Sequence, residues 1–145
     1  MSQALQVIAI AAPFVWLGMV LAISFLETPL KFRAPGISLP LGLGIGRLVF
    51  RALNLTEVGL ATLITAAGLS LHPDRGSWVL LGAAWLLLVV QVGALRPSLD
   101  RRVSLIVAGQ TPPPSREHLV YIALEISKVV LLAALGATLV TGALT

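Results

Sequence analysis

The chain has 145 residues, of which 57% are hydrophobic and only 11% are charged, with a net charge of +4 and no cysteine. Soluble domains carry about 25% charged residues, so this composition excludes an ordinary soluble domain and indicates an integral membrane protein. The lack of cysteine excludes disulfides, thiolate metal sites and cysteine nucleophiles. No basic stripe is interleaved with aromatics, so no nucleic acid partner is expected.

Four apolar segments are long enough to cross a bilayer as helices. A hydrocarbon core of about 30 Å needs about 20 helical residues, and backbone amides in lipid must bond within their own segment. The predicted spans cover residues 4–26, 48–71, 77–95 and 118–144. We therefore predict an all-α fold, an integral membrane four-helix bundle forming one transmembrane domain over residues 1–145.

The basic residues fix the expected orientation. They concentrate in two predicted loops, 27–47 and 96–117, and at the start of the second span, as Lys31, Arg33, Arg47, Arg51, Arg96, Arg101, Arg102 and Arg116. The opposite side has Arg75 alone. Because short basic loops stay cytoplasmic, we expect both loops inside and both termini on the outer side.

The first inner loop, residues 27–47, combines prolines and glycines with apolar side chains. We expect its prolines to break helices, so that the segment folds at the inner interface; they are Pro29, Pro35 and Pro40. Its glycines follow no strand and precede no Lys-Ser or Lys-Thr pair, so we interpret them as flexible turns packed against lipid or helix and not as a phosphate cradle. They are Gly42, Gly44 and Gly46.

The second inner loop, residues 96–117, has the pattern of a short amphipathic helix over 99–108. Gly109 and the prolines 112–114 are expected to end it. Ser115, with Glu117 and the residue after it, has the pattern of a new helix N-terminus.

Two polar stripes converge on the inner half of the bundle. One on the last span covers about a quarter of the helix circumference, and one on the second span covers about a third. They consist of His118, Tyr121, Glu125 and Lys128, and of Arg47, Arg51, Asn54 and Glu57. Glu27 and Arg33 lie on the same side. A charge at a helix centre costs about 2.5–3.5 kcal/mol in lipid, so these groups should face each other or a wet cavity.

Three interpretations of the stripes remain open. Glu125 can pair with Lys128 along one helix, and Glu57 with Arg51 or Lys128, in a network that only fixes packing. The same groups can form a polar pocket for a substrate, ions or protons. A metal site is the least favoured, since the chain has no Glu-x-x-His pair, and we predict none.

Small residues repeat every four positions on two spans, which lets helices approach closely in lipid. They are Ala61 and Thr65 on the second span, and Ala133, Ala137 and Thr141 on the last. The contact can lie within one protomer or between chains, so a homo-oligomer or a membrane partner subunit is possible.

The stretches "FVWLGMVLAISFLETPLKF", "GRLVFRALN" and "LRPSLDRR", followed by a His that opens the last span, resemble the four-helix proteins grouped with transmembrane protein 205. This resemblance covers most of the chain and implies a four-helix membrane fold.

The second-span pattern in "GRLVFRALNLTE" is similar to that of the membrane-associated eicosanoid and glutathione metabolism (MAPEG) family. That resemblance implies glutathione as a cofactor, held on the cytoplasmic side by Arg47, Arg51, Asn54 and Glu57, with Tyr121 as a possible thiolate-stabilising donor.

The sequence thus predicts a multi-pass protein of the inner or plasma membrane with a charged cluster in its cytoplasmic half. We expect a structural role or the binding of a small anionic ligand or lipid, without a cofactor. One alternative is a glutathione-dependent transferase of the MAPEG type. The other is a proton- or ion-coupled carrier using Glu57, Glu125 and Lys128, although the outer halves of the spans lack charged groups.

Overall fold

The computed structural model describes residues 2–145, and the described chain is all-helical. Helix α1 comprises Ser2–Val20, a π-helical segment Leu21–Glu27, and Thr28–Lys31, whereas α2 is a single helix, Leu39–Leu71. Helix α3 comprises Arg75–Val90, a second π-helical segment Gln91–Leu95, and Arg96–Val107, and α4 is Glu117–Leu144. Within residues 2–145, four helices are long and apolar enough to cross a membrane, as the composition predicted.

The helices extend well into the segments predicted as inner loops. Helix α1 continues to Lys31, and α2 begins at Leu39. The separate amphipathic helix expected over residues 99–108 is instead the end of α3, and the left-handed Gly109 (φ 86°) follows it. Residues 32–38 and 108–116 alone connect the helices at this end.

The expectation that Pro29 and Pro40 break helices is wrong for both residues. Pro40 lies in the first turn of α2, where its missing N–H would have had no intrahelical partner. Pro29 is the second residue after the π-helical segment of α1, and Pro97 is the second residue after that of α3. In both helices the proline lies where the hydrogen bonds change from the π-helical to the α-helical pattern, so the chain remains helical.

The four helices form a ring in which α1 packs against α2 and α4, and α3 packs against the same two helices. Gln6, His72 and Thr145 line one cavity, so both chain termini and the turn between α2 and α3 share one end of the bundle. We call this the terminal end, and the opposite end, with the two longer connections, the loop end. An apolar core cluster lies in the terminal half and includes Trp16 and Leu135.

The outer surface of the bundle is apolar. Leu55, Leu86 and Val130 lie on three different helices and are 71%, 65% and 63% exposed. Side chains of this kind on every helix suit contact with lipid tails and leave the polar groups to the interior.

The small residues of the two predicted stripes have different surroundings. Ala61 is buried in the core cluster, so its side of α2 faces the other helices of the same chain. The stripe on α4 is exposed and faces outward, and its members are Ala133, Ala137 and Thr141.

The glycines of the first inner segment are helical, which corrects their interpretation as flexible turns. Gly42 and Gly46 are buried one turn apart near the start of α2. A Cβ at Gly42 would collide with the Phe32 ring, and one at Gly46 would lie 3.1 Å from the Lys31 Nζ. Because these two positions have no side chain, the last turn of α1 can pack closely against α2.

Side chains near the starts of the helices accept hydrogen bonds from backbone amides. The Asp74 carboxylate accepts from the Gly76 and Ser77 amides and caps α3, two residues after the left-handed His72 (φ 51°) that ends α2. At the loop end, Ser38 caps α2 by accepting from the Leu41 amide. Ser115 accepts from the Glu117 amide where α4 begins, as its sequence pattern predicted.

Candidate functional site

A buried ionic triad lies at the middle of the bundle. The Lys128 Nζ donates to the Glu57 Oε2 at 2.6 Å and to the Glu125 Oε1 at 2.7 Å. The side chains of all three residues are at most 2% exposed. Of the two partners expected for Glu57, the fold selects Lys128, which joins α2 to α4.

Three neutral donors complete the bonding of the two carboxylates. The Trp16 Nε1 donates to the Glu57 Oε2 at 2.8 Å. The Ser24 Oγ donates to the Glu125 Oε2 at 2.6 Å, and the Gln91 Nε2 to the Glu125 Oε1 at 2.7 Å. All four helices therefore meet at the triad. We call the triad and these three donors together the central network.

Both π-helical segments contribute a hydrogen-bond donor to this network. Ser24 lies in the π-helical segment of α1, and Gln91 begins that of α3. Single π-helical turns inside α-helices are rare and are frequent at functional sites. Here they aim one donor from each of two helices at the same carboxylate, Glu125.

The central network carries an uneven charge. Two carboxylates share one ammonium group, and the Glu57 Oε1 is buried without a hydrogen-bond partner among residues 2–145. The Asn54 Oδ1 and the Gln91 Oε1 are likewise buried and unpartnered within that range. Such acceptors are costly to bury, so the loop half of the bundle is not optimised for stability alone.

A cavity of about 600 Å³ opens at the loop end, directly below Glu125. Its wall contains four cationic side chains and one histidine, namely Lys31, Arg47, Arg96, Arg102 and His118. Glu125 is the carboxylate in the wall. The rest is largely apolar and aromatic, including Phe25, Leu43, Ile106 and Ile122. The cavity thus combines apolar walls with positive charge.

Arg96 is the cavity cation that contacts two aromatic rings. Its guanidinium carbon lies 4.6 Å from the Phe50 ring centroid and 4.5 Å from that of Tyr121. The two rings meet edge to face, with centroids 5.9 Å apart. Contact with two aromatic rings fixes the guanidinium plane against the cavity wall.

The predicted site residues divide into three groups in the structure. Glu57, Glu125 and Lys128 form the triad, with Asn54 buried beside them on α2. The cavity wall includes Arg47, His118, Tyr121 and Glu125. The third group lies outside the cavity wall: Arg51 and Arg33 are exposed, and Glu27 pairs with Lys31 at 3.5 Å.

Sequence reasoning missed Trp16, Ser24 and the role of Arg96. Gln91 and Arg96 are five residues apart, which places them on different faces of an ordinary α-helix. The π-helical segment between them turns both toward the interior, because its hydrogen bonds span five residues. The Pro97 that follows it is the available sequence signal.

Comparisons of the chain with protein-family models, with curated proteins and with solved structures give no match. Among the described residues, 2–145, no group of three or more His, Asp or Glu side chains is placed to hold a metal ion. Evidence on function therefore comes from the cavity and the charges around it.

Proposed function

We propose that this protein is a multi-pass membrane protein that binds an anionic amphiphile, a molecule with one negatively charged head and an apolar tail, in the cavity at the loop end. The observation that carries this proposal is a cavity of about 600 Å³ whose walls are mainly apolar but include four cations. Ligand pockets typically measure about 300–1,000 Å³, so one small amphiphile fits this size.

The charge of the cavity supports an anionic head. Neither Arg47 nor Arg102 has a carboxylate within 4.0 Å among residues 2–145; Arg47 donates to the Ser104 hydroxyl at 2.7 Å and Arg102 to the Pro113 carbonyl. Glu125 is the carboxylate in the wall, and its Oε1 already accepts from Lys128, so the four cations outnumber it. Arginine suits the task because its planar fork binds carboxylate or phosphate through two hydrogen bonds.

The apolar walls support a tail. Phe25, Leu43, Ile106 and Ile122 line the same space as the cations. A small hydrophilic anion would leave these side chains in contact with water, whereas a hydrocarbon chain would cover them at a gain of about 25 cal/mol per Å². An amphiphile therefore matches both parts of the wall.

The proposed binding is tested by ligand-induced stabilisation in a neutral detergent. Oleate should raise the melting temperature, and oleyl alcohol, with the same tail and no charge, should not. Saturation at a hundredfold excess over Kd corresponds to about 2.7 kcal/mol. The double substitution of Arg47→Gln and Arg102→Gln should remove most of the shift, whereas Arg51→Gln, on an exposed side chain outside the cavity wall, should not.

An equal response to oleate and oleyl alcohol, or no response to either, would contradict the proposal. A rise with glutathione alone would favour the transferase alternative instead. The position of Arg51 outside the cavity does not favour glutathione, since the MAPEG resemblance needs that residue beside Arg47 and Asn54.

The carrier alternative also receives less support. A carrier needs a route through the terminal half, where Trp16, Leu132 and Leu135 are at most 1% exposed in the apolar core cluster. Binding from one side is the function that matches a cavity closed above Glu125.

We further propose that the loop end faces the cytoplasm and both termini face outward, because the cations concentrate at the loop end. Since the chain lacks cysteine, single cysteines report the side directly. Ser70→Cys and Thr111→Cys alter exposed residues near the terminal end and in the last connection. An impermeant thiol reagent should label Ser70→Cys in intact cells and Thr111→Cys only after permeabilisation; the reverse result would invert the topology.

A further inference from the structure

Arg96 is held in place yet has hydrogen-bonding capacity left. Its side chain is 13% exposed and forms an ion pair with Asp100 at 3.7 Å, a distance beyond hydrogen-bond range. Its Nε is buried without a partner among residues 2–145. The Phe50 and Tyr121 rings, with centroids 4.6 and 4.5 Å from the guanidinium carbon, restrain the group. A restrained cation with free donors is preorganised to bind an anion, because little rotamer entropy is lost when the anion binds.

Tyr121 provides a second, independent sign of a ligand. The residue is 4% exposed and lines the cavity, but its hydroxyl has no hydrogen-bond partner within residues 2–145. Tyr hydroxyls that are buried usually find a partner. Because the ring of Tyr121 also contacts Arg96, the two groups are neighbours on one wall of the cavity.

We propose that the Arg96 guanidinium and the Tyr121 hydroxyl form an oxyanion seat, which binds the carboxylate or phosphate head of a single-chain amphiphile. This inference rests on the proposed function and names the head-group site within the same cavity. The tail would lie along the apolar wall that includes Phe25, Leu43 and Ile122. A volume of about 600 Å³ favours one chain over the two chains of a bilayer phospholipid.

Glu125 does not oppose an anion at this seat. It lies one helical turn beyond Tyr121 on α4, but its Oε1 accepts from Lys128 and Gln91, and its Oε2 accepts from Ser24. The carboxylate is therefore bonded and partly neutralised, and the wall contains four cations against this one carboxylate.

The seat is tested by measuring Kd for oleate and for 1-oleoyl lysophosphatidate, with monoolein as the neutral ligand, on the full chain in neutral detergent. Tyr121→Phe removes one unpartnered hydroxyl and keeps the ring beside Arg96, so it should fold normally. Loss of a hydrogen bond to a charged group should weaken binding of the anions about tenfold. Arg96→Lys should also weaken it, because lysine keeps the charge but lacks the fork. Arg101→Lys, at an exposed residue outside the cavity wall, should leave both Kd values unchanged.

The outcomes separate the seat from the proposed function. If the unaltered protein binds the anions more tightly than monoolein and both Tyr121→Phe and Arg96→Lys bind as it does, the seat is wrong while the proposed function stands. If the unaltered protein prefers neither anion to monoolein, the proposed function itself fails. If either anion loses affinity in both variants, the seat is supported, and the tighter of the two anions identifies the head group.

Discussion

In the terminal half of the bundle, Leu132 and Leu135 of α4 pack with Trp16 and Leu81 in an apolar cluster whose members are at most 5% exposed. In the loop half, the same four helices carry two carboxylates, a lysine and four cavity cations, and they enclose about 600 Å³. Apart from the cavity at its end lined by Gln6, His72 and Thr145, the terminal half is thus closed by packing, whereas the loop half is open around charged groups.

The difference lies in how each half keeps its helices together. In the membrane location proposed above, apolar helices would gain little from the hydrophobic effect between them, so close contact would hold the terminal half. The loop half instead depends on the central network, since hydrogen bonds from α1 and α3 to Glu125 anchor the helices just above the cavity. The hydrogen bonds of the central network therefore hold the helices together where the cavity leaves them without side-chain packing.

The largest expected effect comes from breaking the central network. Lys128→Ala removes the cation bonded to both carboxylates and leaves Glu57 and Glu125 buried without it, which should destabilise the fold by about 3–5 kcal/mol. Thermal unfolding in neutral detergent measures the loss. Ser127→Ala is the matched control, because its exposed hydroxyl bonds only to the Ala123 carbonyl of its own helix.

Adding Glu57→Gln and Glu125→Gln to Lys128→Ala should restore part of the stability, because the uncompensated charges then disappear. Equal losses in Lys128→Ala and Ser127→Ala would show that the triad does not hold the loop half together.

A smaller effect is expected where the terminal half is packed most closely. A Cβ at Gly136 would lie 2.6 Å from the Cζ of Phe14, which is too close for carbon atoms. Phe14 is 43% exposed, so its ring can turn outward, and Gly136→Ala should cost only about 1 kcal/mol. Gly142→Ala on the same helix meets nothing within 4 Å and should be neutral or stabilise by up to about 1 kcal/mol. Matching melting temperatures for the two variants would argue against close packing of α1 on α4.

The sequence was sufficient to predict the helices and the polar stripes, because both depend on local quantities. Apolar length sets the number of spans, and a period of 3.6 residues sets the faces. Glu57 and Lys128 therefore appeared as candidates before any fold was known. The helix ends were less predictable, since a proline such as Pro40 ends a helix or begins one depending on its position.

The division of the candidates between triad, cavity and surface could not be predicted from spacing. Arg51 and Glu57 occupy opposite edges of the α2 stripe, about 120° apart, and the packing of the neighbouring helices exposes one and buries the other. Arg96 and Ser24 were missed for another reason. Both depend on π-helical segments, which shift the faces of α1 and α3 in a way that the 3.6-residue period does not contain.

The smallest expected effect concerns the turn that joins α2 to α3 at the terminal end. Hydrogen bonds from the Ser77 hydroxyl, and then from the Ser77 and Gly76 amides, hold the pKa of Asp74 below its ordinary value of 3.8. Because the folded pKa lies below the unfolded one, the ionised cap stabilises the fold above about pH 3.8, and this contribution is lost as the pH falls through the folded pKa. Asp74→Asn retains a side-chain oxygen that can cap the helix but has no charge. The variant should melt slightly below the unaltered protein at pH 7, and the gap should close as both are titrated to pH 3 and below. A gap of constant size across this range would mean that the Asp74 charge does not support the turn.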